Sequence, residues 1–400
     1  MYQARFTAVL AVAVVTSVTL AACSSGSSSG SASGGGGDYQ VGFNSDLSGK
    51  YSLNGVGQRD GYKAYFDYVN SKGGINGHKV NVNVTDDASD VTRGTTNTTQ
   101  LMTAKKVSAV GGYILSNVCG AAATIAATNK VPINCGSLAE DLLNPAKPFV
   151  YSAAISQNME AGPIFNMGKT LVADKPAPKA AIIIFASAAS VSLQQGLERY
   201  VKSAGWNLVA NQSVPLTATD VSAQAATIIA AKPDVIMGSL YDPLAVSMMR
   251  ALKAANLSVP FVDYDGATYK SGLLALKDPN FYLLSAKTAD GVGDTQYLKD
   301  YQAAAAMAGK DPTTPFFNTG YVQALEIGEG LKKCGYPCDG AKLQTTLDTL
   351  DVDTQGVTSG NVTYTASNHE AVHSASFYVW DASKNAAVVA AKDLPEGDGK

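Results

Sequence analysis

Two patterns of apolar positions recur along this chain. Short apolar runs bounded by turn residues read as buried strands, and stretches with apolar positions three and four apart read as helices. Tyr39–Phe43 is the first such run, and a polar loop, Asn44–Asn54, follows it. Tyr62, Tyr65, Phe66 and Val69 then share one helical face. The run from Gly73 to His78 is a turn, Val80 to Val84 alternates as a strand does, Asp86-Asp87 ends it, and a helix is expected over 90–106. Val107–Val110 and Val131–Ile133 read as parallel strands joined by an Ala- and Thr-rich crossover helix, Cys119–Asn129. Near 149–155 the alternation restarts. Helices are expected over 158–174, 193–204, 220–231 and 243–255, with strands at 180–185, 206–210, 234–238, 259–262 and 281–286. Helices over 294–308, 316–333 and 340–350 then precede closing strands at 362–365 and 375–380. The expected fold is therefore α/β, with two doubly wound parallel-sheet lobes. The last helices have no strands of their own, so the chain is expected to cross between lobes more than once.

In open α/β sheets, ligands sit outside the carboxyl ends of strands, where loops feed helix starts. Gly111 to Asn117 (GGYILSN) and Asn134 to Ser137 (NCGS) are such loops. Their backbone N–H groups, their hydroxyls and the positive helix end suit a carboxylate or other anion. The competing reading makes Ser116, Asn117 and Ser137 simple helix caps.

Composition narrows the field. The net charge of −3 and the absence of a basic stripe argue against a nucleic-acid partner. Arg5 precedes an apolar run, Phe6 to Leu20, too short for an ordinary membrane span but suited to a signal peptide over residues 1–22. Leu20-Ala21-Ala22-Cys23 resembles the bacterial lipobox. That resemblance implies cleavage before Cys23, a diacylglyceryl thioether on it, and a lipid anchor at the extracytoplasmic face of the cell membrane. A plain secretion signal with a chance Cys23 is the alternative. Residues 23–37 then form a Ser/Gly tether with a root-mean-square reach of about 20 Å. Four cysteines remain in an oxidising compartment, and three pairings are possible. Spacing favours Cys119–Cys135 and Cys334–Cys338. Zinc competes for the same thiols, but there is no CxxC pair.

Three catalytic or cofactor motifs are considered and set aside. Gly55, Gly57 and Gly61 suggest a dinucleotide fingerprint, but they stand about ten residues past their strand and with the wrong spacing. His369-Glu370-Ala371-Val372-His373 matches HExxH, yet it lies between two strand-like runs with little room for the helix that zinc ligation needs. No Ser or Cys has His and Asp partners in a nucleophile-elbow setting. No enzyme activity and no cofactor are expected.

Several stretches together resemble one family. VGFNSDLSGKYSLNG, YFDYVNSKGGINGHKVNV with TDD, and VTYTASNHEAVHSASFYVWD are similar to the branched-chain amino-acid-binding proteins of ABC importers, which are type I periplasmic binding proteins. The likeness covers Asp38 to Asp381. It implies lobes of residues 38–152 plus 286–356 and 153–285 plus 357–395, joined by a three-crossing hinge and closing on a small ligand. It also implies site residues: Ser48, Tyr51 and Asn54 in the first loop, and Leu115, Ser116, Asn117, Ser137 and Leu138 around a ligand carboxylate. In the second lobe it implies Tyr241 lining the cleft and Asp265 receiving an ammonium. Two departures stand out. Ser89 replaces a cysteine that some relatives carry, and FASAASVS has no aromatic after Phe185 where many relatives have one. The implied role is a lipid-anchored solute-binding subunit working with ABC permease and ATPase subunits. A receptor subunit reporting the same ligand to a membrane signalling protein is the alternative, and the absence of a signalling segment after Asp381 favours the importer.

Overall fold

The computed structural model describes residues 37–397, apart from 137–139, 144, 154, 216 and 265–268. In chain order the first elements are β1 (Tyr39–Ser45), α1 (Ser52–Ser71), β2 (Val80–Asp86), α2 (Val91–Thr103), β3 (Val110–Gly112), α3 (Ser116–Asn129), β4 (Ile133–Cys135) and β5 (Val150–Ser152). The strands form an all-parallel sheet in the order β2-β1-β3-β4-β5. Helices cover both faces of such a sheet, which is why β1 is almost wholly buried although Asn44 and Ser45 interrupt its apolar run.

The second group repeats the plan: α4 (Gln157–Leu171), β6 (Lys179–Phe185), α5 (Ala188–Ser203), β7 (Asn207–Val214), α6 (Ser222–Ala231), β8 (Val235–Ser239), α7 (Asp242–Ala254), β9 (Phe261–Asp263), the short α8 (Leu274–Leu276) and β10 (Phe281–Ser285). Its parallel strands run β7-β6-β8-β9-β10, the same order as in the first sheet. Next come α9 (Gln296–Met307), α10 (Phe317–Cys334) and α11 (Gly340–Leu347), which pack into the first core. The strands β11 (Asp351–Val352) and β12 (Val362–Thr363) make a small antiparallel ribbon. Finally β13 (Ser374–Asp381) and β14 (Ala386–Pro395) extend the second sheet antiparallel beyond β10. The expected α/β fold of two parallel-sheet lobes is the observed one.

Differences from the sequence reading are local. β3 and β4 lie two to three residues later than expected, so Gly111-Gly112 and Asn134-Cys135 are strand rather than loop. Extended pairing begins before each strand, with Ser108 N–H donating to Gln40 O at 2.8 Å and Val110 N–H to Pro132 O at 2.9 Å. β14 was not expected, because its Ala- and Val-rich run lacks clear bounding turns. The first helix starts at Ser52, inside the expected loop, and carries Gly55, Gly57 and Gly61. These glycines serve packing. A Cβ on Gly61 would sit 1.9 Å from Phe317 O, so only glycine lets α1 approach α10 this closely. Tyr62 and Phe66 of α1 bury themselves there with Phe317, Tyr321 and Leu325 of α10.

Three segments cross between the sheets, and they travel in pairs. Ser152 N–H, at the end of β5, donates to His369 O at 3.0 Å, and Ala371 N–H returns to Ser152 O at 3.0 Å. After β10, Thr288 N–H donates to Val357 O at 2.8 Å and Ser359 N–H to Ala286 O at 2.9 Å. Val357, Val362, Tyr364, Ala371 and Val372 pack in the first core, whereas Ala375 and Phe377 belong to the second.

Both cysteine pairs are bridged, Cys119–Cys135 with Cα atoms 6.2 Å apart and Cys334–Cys338 at 5.9 Å. Cys23, the signal segment and the tether lie outside the described residues. Among the described residues no helix is long and apolar enough to cross a membrane.

Candidate functional site

A sheet ordered 2-1-3-4-5 has its switch point between its first and third strands, and the crevice there is where ligands bind. In the first sheet that point lies between β1 and β3, and in the second between β6 and β8.

The loop after β1 is fastened to the turn after β2. Asp46 accepts the Gly49 and Tyr51 N–H groups, the latter at 2.7 Å, and also the Ser89 hydroxyl. Asp86 accepts the Leu47 N–H at 2.9 Å, the Ser48 hydroxyl at 2.6 Å and Arg93 at 2.8 Å. Ser89 thus ties these loops through its hydroxyl at the position where the departure from the family cysteine was noted. Burial pushes the neighbouring Asp87 up to about 6. Of the expected contributors, Ser48 is exposed with its hydroxyl on Asp86, Tyr51 is the cap residue of α1 with the Lys50 ammonium 5.3 Å above its ring, and Asn54 lies in the first turn of α1.

At the end of β3 the chain turns sharply. Gly112 has φ +107° and Tyr113 φ +55°, and a Cβ on Gly112 would meet Asn44 O at 2.2 Å. This turn feeds α3, whose cap position is Leu115 with no side-chain cap. Ser116 and Asn117 are therefore the first residues of the helix, and Asn117 Oδ1 accepts the Val118 N–H at 2.9 Å, so the capping reading holds in part for Asn117 and not for Ser116. The start of a helix is a place that suits an anion. The Cys119–Cys135 bridge ties the first turn of α3 to the end of β4, fixing the two segments that flank the crevice. Ser137 and Leu138 lie outside the described residues.

Behind these loops runs a polar network that the sequence did not reveal. Ser45 donates to Gln58 Oε1 at 2.8 Å, and Gln58 Nε2 reaches Gly112 O and Gln323 Oε1, each at 3.0 Å. Gln323 donates to Asn134 O at 2.8 Å, Asn134 donates to Glu326 Oε2, and Tyr364 donates to the same oxygen at 2.8 Å. Burial pushes Glu326 up to about 8. Every side chain of the network is buried. Gln323 and Glu326 come from α10, so distant sequence segments meet here and no local motif could announce them.

The second lobe presents a different surface. Tyr241 begins the loop into α7, is 37% exposed, and meets the Phe185 ring edge-on at 5.1 Å and the Tyr264 ring at 5.9 Å. Phe185 ends β6 and Tyr264 follows β9, so an aromatic wall stands at this switch point. The loop after β6 therefore contributes its aromatic at Phe185 itself. Below the rings, Ser239 donates to Ser190 at 2.6 Å and Ser190 to Gln157 at 3.1 Å, all buried. Asp265 lies outside the described residues.

The HExxH segment is bridge and turn, not helix. His369 stacks on Tyr151 with ring centres 4.3 Å apart, Glu370 accepts the Ser156 N–H at 2.9 Å, and His373 pairs with Glu396 at 2.9 Å. Among the described residues no cluster of three His, Cys, Asp or Glu side chains is placed to hold a metal ion.

Comparison with known proteins agrees with this geometry. The periplasmic binding protein family matches residues 38–386. The chain belongs to that family. Its members are solute-binding proteins and not enzymes. Among curated relatives, a Leu/Ile/Val-binding protein homolog from Brucella abortus is 24% identical over 333 residues, covering 79% of this chain and 82% of its own. Among solved structures, the branched-chain amino acid transporter substrate binding protein LivJ from Streptococcus pneumoniae, in complex with isoleucine, superposes with a TM-score of 0.74 at 20% identity, covering 90% of this chain and 100% of that one. A solute binding protein of an ABC transporter from R. palustris, in complex with benzoate, gives 0.72 at 19% identity, covering 90% and 98%. At these identities the structural likeness speaks for the fold alone.

Proposed function

We propose that this chain is the solute-binding subunit of an ABC importer, held at the extracytoplasmic face of the cell membrane by a lipid on Cys23. It takes an amino acid or a similar small polar solute between two closing lobes and delivers it to permease and ATPase subunits. The observation that carries the reading is the pairing of two unlike switch points: a helix start at Ser116 in one lobe and the Phe185–Tyr241–Tyr264 wall in the other. A carboxylate suits the first and an apolar body suits the second. The family match over 38–386 and the names of the relatives support the same assignment.

Ser116, Ser137 and nearby backbone N–H groups hold the carboxylate in this reading, with Leu115, Asn117 and Leu138 beside them. Asp265 receives the ammonium, and Ser48, Tyr51 and Asn54 border the crevice. A solute that touches both lobes favours the closed form because it binds that form better. Charge-assisted hydrogen bonds contribute roughly 1.5–3 kcal/mol each, so Asp265→Asn weakens an amino acid by roughly ten- to a hundredfold. Calorimetry on both proteins tests this, and equal affinities for the tightest amino acid would remove the ammonium anchor. Metabolic labelling with a fatty acid tests the anchor: label on the wild type and none on Cys23→Ala is the expected result.

A further inference from the structure

Asp263 is the last residue of β9, flanked by β8 through Gly238 and by β10 through Leu283. It is fully buried. One of its oxygens, Oδ1, accepts two backbone N–H groups, from Leu240 at 2.9 Å and from Tyr264 at 3.1 Å. Each donor is the first residue beyond a strand. Leu240 immediately precedes Tyr241, and Tyr264 immediately precedes Asp265. A buried N–H at such a place must find an acceptor, and here one oxygen serves both. The other oxygen, Oδ2, has no hydrogen-bond partner.

We infer that Asp263 is a positioning residue of the second lobe's half of the site, a buried carboxyl that ties the backbone entering the Tyr241 loop, at Leu240, to the backbone leaving β9, at Tyr264. The inference rests on the reading of those loops as ligand-binding. An acid is an expensive choice for a fully buried position unless it does something an apolar residue does not. Burial, opposed only in part by the two N–H donors, lifts this carboxyl well above the usual carboxylate range, and Asp242 at the start of α7 adds to the lift. The carboxyl accepts through Oδ1, and an asparagine accepts through the same atom. Leucine has nearly the same shape and accepts nothing. The geometry thus separates the role of the oxygen from the role of the volume.

The test compares wild type, Asp263→Asn, Asp263→Leu and Tyr241→Ala by amide hydrogen exchange and by calorimetry with L-isoleucine and benzoate as probes. Asp263→Asn is expected to protect Leu240 and Tyr264 as the wild type does, within about twofold. Asp263→Leu speeds exchange at both by about tenfold or more and leaves β6 and β7 unchanged, and it weakens whichever probe binds by about tenfold. Protection of both amides in the leucine variant would overturn the inference, as would a uniform loss across the lobe in both variants. If neither Asp263→Leu nor Asp263→Ala folds, Asp263 is a determinant of the core and the positioning role falls. Tyr241→Ala keeps the two readings apart. Undiminished probe binding in that variant, with the Asp263→Leu loops still released, removes the ligand-site reading and leaves the tie between loops standing. Exchange decides the tie even where neither probe binds.

Discussion

The two switch points share a strand order and are built in opposite ways. In the first lobe, four parallel strands end in a mesh: Gln58, Gln323, Asn134, Glu326 and Tyr364 hand hydrogen bonds across them, a disulfide closes one side, and Asp46 and Asp86 fasten the other. In the second, rings stand over a short relay of serine hydroxyls, and Asp263 joins the backbone at Leu240 to that at Tyr264. The comparison teaches that a site can be half fixed and half adjustable. The mesh has several links, so its loops are held in place even if one link is removed. The aromatic wall is made of ring contacts, so exchanging a ring there is expected to change its surface without undoing the lobe.

The largest effect is expected from breaking the mesh. Glu326→Leu takes the acceptor from the buried Asn134 amide and leaves the Tyr364 hydroxyl only Ser152 O, 3.1 Å away, so unfolding should show a loss of about 3 kcal/mol. Glu326→Gln, which keeps an acceptor, should lose far less. The pH dependence sharpens the point. Glu326 holds its proton in the folded state up to about 8, against 4.5 ordinarily, so between those values the folded state binds the extra proton. Its contribution therefore falls as pH rises through that window, and Glu326→Gln should flatten the slope in denaturation series.

The disulfide comes next. In the chain-entropy model, closing a loop of 16 residues stabilises by about 3 kcal/mol. Cys119→Ser should lower the melting temperature accordingly, and reduction should add little at that bridge. Peptide mapping that recovered Cys119 and Cys135 as free thiols in the wild type would sink the assignment. The smallest effect on stability is expected in the second lobe. Phe185→Leu removes an edge-to-face partner of Tyr241, worth about 1 kcal/mol. The order of solute affinities in a thermal-shift panel should nevertheless change more for Phe185→Leu than for Cys119→Ser, and an unchanged order would break the contrast between the lobes.

The fold was largely legible because its signals are local. Apolar runs at Val41–Phe43, Ile182–Ile184 and Val235–Met237, separated by helical stretches, suffice to announce a repeated β/α plan. Boundaries were less legible, since Gly111-Gly112 reads as loop by propensity but is held extended by its neighbours. Around the candidate site, the strand-to-helix order was legible and the contacts that hold it were not. Both disulfides could be placed by spacing, whereas the helix starts at Ser116, three residues before the expected Cys119. The tie through Asp263, the ring pair at Phe185 and the Gln58–Gln323 contact, 265 residues apart, depend on tertiary proximity that no short motif carries.

The paired crossings have a mechanical consequence. The strand that leaves the first sheet at Ser152 and the one that returns through His369–Ala371 are bonded to each other in both directions, and so are the segments at 286–288 and 357–359. Plies bonded this way cannot slip past one another without breaking rungs, but they can wind and unwind together. If the lobes close on a solute as proposed, the motion is expected to be a torsion of two ribbons, with the lobes as levers at their ends. Ser152 and Ala371 amides should stay protected from exchange whether or not solute is bound, and the angle between the lobes should vary along one twisting coordinate.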